Sequence, residues 1–347
     1  MTHPHDTPPL PLAEVSAAAD EVVKSVQSVI VGKESSLRLV MAAILAGGHV
    51  LIEDLPGLGK TLTARCFAQA LGLEFSRLQF TPDLLPADVT GSFIYNQKSM
   101  EFDFRSGPVF TNLVLADEIN RTPPKTQAAL LEAMQERRVS VEGQTFDLPD
   151  PFCVLATSNP VEFEGTYQLP EAQLDRFLLR VSFGYPSRSE ELEVLARRMN
   201  RRQENTHLEP VISAEQLTVM QRSLEWVSVE DSVSEYIVDI VAATRDHQQL
   251  QVGASPRGSL ALMLVGRAMA VLAGRDFVTP DDIRLAAGPA LSHRVSLRPE
   301  LWMRRIDAAE VIEQVVQKVP APSSHALPTH GQTSAEENHL GSNKGAG

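Results

Sequence analysis

The run Leu51-Ile52-Glu53-Asp54-Leu55-Pro56-Gly57-Leu58-Gly59-Lys60-Thr61 joins a short apolar strand to a glycine-bearing loop that ends in Lys-Thr. Such a loop surrounds phosphate oxygens with backbone N–H groups and with the N-terminus of the following helix. Fifty-seven positions after Lys60, the apolar run Asn112-Leu113-Val114-Leu115-Ala116 ends in Asp117, followed by Glu118. A strand ending in this pair supplies a carboxylate for magnesium and a base for water. Alone, Asp117-Glu118 would read as a solvated strand end, and Gly-Lys-Thr occurs in ordinary turns. At this spacing the two together imply hydrolysis of ATP with Mg2+. The loop departs from G-x-x-x-x-G-K-[ST] at one position, where Asp54 stands in place of glycine. Gly57 and Gly59 are kept, and Pro56 fixes the approach to them.

Composition narrows the setting. A chain of 347 residues is long enough for two domains. With 43% hydrophobic and 22% charged residues it can bury an ordinary soluble core. A net charge of −13 argues against a general nucleic-acid surface, which favours a basic domain, but leaves open a local basic lining in an assembled ring. Cys66 and Cys153 lie in apolar stretches and read as small buried hydrophobes, with no metal spacing or disulfide framework. The start Met1-Thr2-His3-Pro4-His5-Asp6 lacks a basic region followed by an apolar run, so no secretory leader is expected. No apolar run approaches membrane-spanning length, so no membrane insertion is expected and the cytoplasm is the expected compartment.

The elements that must position these residues follow from periodicity. Residues 1 to 12 are Pro- and His-rich and read as a disordered tail, in which His3 and His5 are unlikely ligands. Residues 14–29 and 36–46 carry helical apolar spacing, the second helix closing at Gly47-Gly48. From 49 to 183 strands alternate with helices: strands at 49–53, 74–80, 109–116, 152–157 and 178–183, helices at 60–71 and 124–136. That alternation implies a parallel sheet covered by helices. Two hairpins interrupt it, one pairing 92–95 with 101–105 and the other 138–141 with 145–148. After Pro186 only helices are expected, at 188–199, 214–225, 231–247, 257–273 and 280–292, with capping signatures at Ser213/Gln216 and Thr279-Pro280-Asp281-Asp282. The expected organisation is a tail 1–12, an α/β nucleotide-binding core 13–185, a separate all-α domain 186–317, and a Pro-, Ser-, Gly- and His-rich tail 318–347.

Longer runs carry a family resemblance. Ala116-Asp117-Glu118-Ile119-Asn120-Arg121-Thr122-Pro123-Pro124-Lys125-Thr126-Gln127 strongly resembles the MoxR family of AAA+ ATPases. So do Leu131-Glu132-Ala133-Met134-Gln135-Glu136, Ala156-Thr157-Ser158-Asn159-Pro160, and Gly165-Thr166-Tyr167 through Asp175-Arg176-Phe177. The resemblance spans roughly residues 14 to 315. It implies an AAA+ P-loop core, a helical lid and a homo-oligomeric ring, usually a hexamer. The two hairpins match the helix-2 and pre-sensor-1 insertions of the clade that includes the magnesium chelatase ATPase subunit. Asp54 is an accepted variant in this family.

The resemblance also implies roles. Pro56, Gly57, Leu58, Gly59, Lys60, Thr61 and Leu62 form the nucleotide loop, with Lys60 on the β- and γ-phosphates, Thr61 ligating magnesium and Asp117 holding it through water. Glu118 polarises the attacking water. Asn159 matches sensor 1, although an Asn-Pro pair can be a plain turn. Arg176 matches the arginine finger supplied to a neighbouring subunit, with Arg180 a possible substitute. Arg257 matches sensor 2, although an arginine in a first helical turn is usually just solvated. Val31 and Gly32 are candidates for the adenine pocket, or a plain turn. The leading reading is a chaperone ATPase that remodels or activates partners, often in metal-cofactor insertion and commonly with a partner bearing a von Willebrand factor A domain. Alternatives are a nucleic-acid motor, a magnesium-chelatase-like subunit, and a switch that binds nucleotide without hydrolysis. The complete set Lys60, Asp117, Glu118, Asn159 and Arg176 disfavours the last.

Overall fold

Near-continuous apolar runs, rather than alternation, mark strands buried on both faces. The computed structural model describes residues 9–160, 166–202, 206–302 and 306–322. The expected tail segments before residue 9 and after 322, with His3 and His5, and Gly165 of the Gly-Thr-Tyr run lie outside the described residues.

The first half of the chain runs α1 Leu12–Gln27, α2 Glu34–Leu45, β1 Val50–Glu53, α3 Lys60–Ala70, β2 Phe75–Gln79, α4 Pro86–Thr90, β3 Gly91–Asn96, β4 Glu101–Ser106 and β5 Leu113–Asp117. It continues with α5 Pro124–Glu136, β6 Arg138–Val141, β7 Gln144–Asp147, β8 Cys153–Ser158, α6 Glu171–Leu174 and β9 Leu179–Val181. Five strands form one parallel sheet in the order β2-β5-β8-β1-β9. The order places the C-terminal ends of β1, β5 and β8 side by side, where ligands bind in open parallel sheets.

Both expected hairpins are present. β3 and β4 pair antiparallel from Gly91↔Ser106 to Asn96↔Glu101. β6 and β7 pair across Glu142-Gly143, whose φ values of 49° and 82° suit a two-residue hairpin turn. The hairpins pack on each other. Phe104 of β4 stacks on Phe146 of β7 with centroids 4.0 Å apart and planes 10° apart, and Phe93 and Phe110 flank the pair. This joining of two insertions about forty residues apart in sequence is not visible in either hairpin alone.

The second half comprises α7 Arg188–Arg201, α8 Ala214–Ser223, α9 Asp231–Arg245, β10 Leu250–Val252, α10 Pro256–Leu272, α11 Pro280–Leu291, β11 Ser296–Leu297, α12 Pro299–Trp302 and α13 Ala308–Lys318. Serine caps start α7 and α8, with Ser187 and Ser213 accepting from the amides of Glu190 and Gln216. Several features differ from the sequence expectation: the short helices α4, α6 and α12 lie outside the expected elements, and β5 begins at Leu113 rather than at 109. β10 and β11 form a short antiparallel ribbon, too brief to show as period-two alternation. α13 extends the helices to Lys318, burying Val311, Ile312, Val315 and Val316 on one face. The apolar core also runs unbroken past Pro186. Side chains of α1, α2 and α3, one sheet face, and α8 to α11 with α13 share one cluster, while Leu51, Val114, Ala116, Val154 and Ala156 on the other sheet face pack with α5. Among the described residues no helix is long and apolar enough to cross a membrane.

Cys66 and Cys153 are free and buried, as expected, and burial pushes their thiols up to about 11 and about 12. His49 is buried at the foot of β1. Its Nδ1 accepts from the Val154 amide at 3.0 Å, so its Nε2 donates to the Met134 carbonyl at 3.1 Å. Burial drives its pKa from 6.5 down to about 4, partly opposed by the Met134 bond. The unfolded imidazole takes a proton first. This stabilising term is therefore intact above pH 6.5 and lost as pH falls towards 4, by about 3 kcal/mol in total. Urea unfolding of His49→Gln beside the parent at pH 7 and pH 4.5 is expected to show a shallower acid loss in the variant. Equal acid losses would remove His49 from the account.

Candidate nucleotide site

Gly59 caps the N-terminus of α3 at φ 84°, and Gly57 sits at φ 82°. A Cβ on either would meet no atom within 4 Å. The left-handed backbone is therefore what favours glycine at both positions, and the space above the loop is open to a phosphate group. α3 has no side-chain cap and no acidic residue in its first turn, so its leading amides and dipole face the loop uncompensated. Pro56, Gly57, Gly59, Lys60, Thr61, Leu62, Asp117, Glu118 and Asn159 line one cleft of about 390 Å³. Leu58 belongs to the loop but not to that lining.

The charged groups are held from several strands. Lys60 Nζ donates to the Asp54 carbonyl at 2.6 Å. Burial pushes its ammonium below the usual lysine range, and Asp54, Asp117 and Glu118 pull it back up. The Thr61 hydroxyl lies 3.4 Å from Asp117 Oδ2. A hydroxyl at a helix start and a carboxylate at a strand end are hard oxygen donors, and magnesium takes one or two such groups while keeping several waters. The residues present thus fit both an ATP phosphate chain and its magnesium. Thr157 at the end of β8 fixes the acid pair, its hydroxyl donating to Asp117 Oδ1 at 2.6 Å and accepting from the Glu118 amide at 2.8 Å. Glu118 adopts φ 58° and ψ 49°, a left-handed conformation that costs a non-glycine residue about 1 kcal/mol or more and turns its carboxylate away from the strand line. Gln79 donates to Glu118 Oε2 at 2.7 Å, and Arg121 lies 3.4 Å from the same oxygen.

Asp54 has a physical role of its own. Its carboxylate accepts from the amides of Phe183 and of Gly184, the latter at 3.2 Å, and from the Ser182 hydroxyl at 3.0 Å. It ties the loop to the chain leaving β9, and a glycine could make none of these bonds.

The remaining candidates lie elsewhere. Arg176 lines a separate cleft of about 560 Å³ with Glu132, Glu136, Arg138 and Gln173, sharing no residue with the phosphate cleft. Arg180 is engaged within its own chain, 3.1 Å from Glu53 and 3.3 Å from Asp307. Arg257 points to Asp175 at 3.4 Å and is 58% exposed. Val31 and Gly32 do not line the phosphate cleft, and a Cβ on Gly32 would fall 1.9 Å from Glu190 Oε1. Lys33 beside them donates to the carbonyls of Gly184 and Tyr185 at 2.9 and 2.8 Å.

Sequence reasoning missed Arg77, Gln79, Thr157 and Arg294. Arg77 and Gln79 share one face of β2 by their spacing of two, a polar alternation that was legible but had no visible partner. Arg294 is nearly buried, donating to Asp175 Oδ1 at 2.8 Å and to the carbonyls of Phe177 and Leu178 at 2.7 and 3.1 Å. It fastens the helical part to the turn that carries Arg176.

A parallel sheet with a phosphate loop, a carboxylate pair and a buried asparagine at adjoining strand ends, followed by packed helices, defines an AAA+ ATPase. The comparisons agree. Residues 49–179 match the ATPase family associated with various cellular activities, and residues 242–315 match the AAA lid domain. Chaperone MoxR1 of Mycobacterium tuberculosis is 40% identical, over 95% of this chain and 90% of its own length. Protein YeaC of Bacillus subtilis is 53% identical, over 87% of this chain and 94% of its own length. A crystal structure of a putative ATPase from Cytophaga hutchinsonii superposes with a TM-score of 0.83 at 39% identity, covering 90% of this chain and 97% of that one. The chain belongs to the MoxR family of AAA+ ATPases.

Proposed function

We propose that this ATPase works as a chaperone, assembled as a hexameric ring, that remodels or activates partner proteins. Residues 13–185 serve as its motor core and 186–317 as its lid. The observation that carries the reading is that Arg176 and the phosphate cleft occupy different clefts of one chain. An arginine supplied to a neighbour must lie away from its own chain's phosphates, and Arg176 meets that condition; turnover would then depend on assembly. In this reading Lys60 and the loop amides bind the phosphates, Glu118 takes the proton from water, Asn159 orients that water, and Arg257 reports nucleotide state to the lid. Magnesium, held by Thr61 and Asp117, neutralises phosphate charge when bound. The joined hairpins β3–β4 and β6–β7, stacked through Phe104 and Phe146, move together against the partner.

The relative named Chaperone MoxR1 supports the chaperone reading. The partner class, a protein with a von Willebrand factor A domain, the link to metal-cofactor insertion and the cytoplasmic setting rest on the family resemblance. The net charge of −13 weighs against a nucleic-acid motor. The test is capture from native lysate with ATP by Glu118→Gln, which holds ATP, beside Lys60→Ala, which does not. A protein retained by the first alone, above all one with a von Willebrand factor A domain, supports the reading. Nucleic acid retained without a protein overturns it in favour of the motor.

A further inference from the structure

β2 is the edge strand of the sheet, and its residues 77 and 79 face the acid pair at the end of β5. Arg77 donates twice to a single oxygen, Asp117 Oδ2, through its Nε at 3.0 Å and an Nη at 2.7 Å. That oxygen is the one that faces the Thr61 hydroxyl. The other, Oδ1, is taken by Thr157. The same Nη of Arg77 also donates to Gln79 Oε1 at 2.9 Å, and Gln79 in turn donates to Glu118 Oε2. One connected chain, Asp117–Arg77–Gln79–Glu118, therefore links the carboxylate that holds metal to the carboxylate that activates water. The Arg77 side chain is 48% exposed, so it has solvent into which to withdraw, whereas that of Asp117 is 10% exposed and fixed.

We propose that Arg77 is a positioning residue that sets the magnesium requirement of this site by competing for Asp117 Oδ2. The inference rests on the reading of Thr61 and Asp117 as the magnesium-holding pair. A guanidinium making two charge-assisted bonds to one carboxylate oxygen occupies its lone pairs and adds a positive charge where a divalent cation must bind. With three donors already on that oxygen, magnesium or a water bound to it must compete with Arg77 for the same lone pairs. When Arg77 leaves Asp117, Gln79 loses the partner that orients its amide, and its hold on Glu118 loosens.

The experiment measures binding of a fluorescent ADP analogue to the full chain over a magnesium titration, for the parent, Arg77→Gln, Arg77→Lys, Asp117→Asn and the double variant Arg77→Gln/Asp117→Asn, with thermal unfolding of each as a folding control. Arg77→Gln is expected to lower the half-saturating magnesium concentration about tenfold, since a bond to a charged group is worth that much or more. Arg77→Lys keeps the charge without the fork and should lie between. In the double variant, replacing Arg77 should cause no further change, because its effect runs through Asp117. An unchanged or raised magnesium requirement in both Arg77 variants, with a normal loss in Asp117→Asn, overturns the proposal alone. An Asp117→Asn variant that keeps the parent's magnesium dependence overturns the metal-site reading and the proposal with it.

Discussion

Arg176→Ala is expected to lower kcat by about 10³-fold or more while leaving ATP affinity within a few-fold of the parent. The size follows from what an arginine finger does. Charge spreads over the transferring phosphoryl oxygens only in the transition state, so a guanidinium placed there raises kcat rather than tightening ground-state binding. The separation of Arg176 from its own phosphate cleft adds a sharper expectation. Arg176→Ala subunits keep an intact loop, and Lys60→Ala subunits keep an intact finger. Mixed in one ring, the two inactive variants should recover part of the activity, because some interfaces join an intact loop to an intact finger. Phosphate release from the mixture, compared with each variant alone, reads this directly. No recovery from subunits shown to co-assemble would return Arg176 to a structural role. Arg180, held by Glu53 and Asp307, should instead act on how α13 is fastened to the sheet, so Arg180→Ala is expected to show first in thermal unfolding.

Glu118→Gln is expected to cut turnover by about 10³-fold with ATP still bound. The substitution is nearly isosteric, and the Glu118 backbone amide remains on Thr157, so the loop and the metal pair keep their geometry. In the proposed reading, what is lost is the base. Lys60→Ala should differ in kind. In the proposed reading it removes the cation that meets the phosphates, and it should therefore lose nucleotide affinity as well as rate. Equilibrium binding of ATP beside single-turnover phosphate release separates the two. Release by Glu118→Gln within about tenfold of the parent would show that another group activates the water.

Much of the site is legible in the chain because its signals are local. Gly57 and Gly59 announce a left-handed loop, Lys60-Thr61 a helix start, and the apolar run before Asp117-Glu118 a buried strand. The three central strands β1, β5 and β8 follow from the same short-range patterning, since a strand covered on both faces is nearly apolar throughout. The less legible parts involve partners far apart in sequence. Asp54 reads as a broken motif until the fold brings Ser182, Phe183 and Gly184 to its carboxylate. Arg77 and Gln79 carry no signal of a partner in the run 74–80, which the sequence marks only as a strand, until β5 lies beside them. The ribbon β10–β11 escapes because a strand of two or three residues has no period to detect. Which core face the helices after Pro186 pack against is likewise hidden, because periodicity reports which face is buried, not what buries it.

By itself, then, the sequence determined the chemistry this protein can perform and the elements that carry it, because backbone preference and strand burial act over a few residues. The tertiary structure alone decided which side chains meet: Arg77 at Asp117, Asp54 at the end of β9, Phe104 on Phe146, and Arg176 in a cleft apart from its own nucleotide site. Those contacts depend on strand order and helix packing, which arise from burying one shared apolar core rather than from any local run of residues.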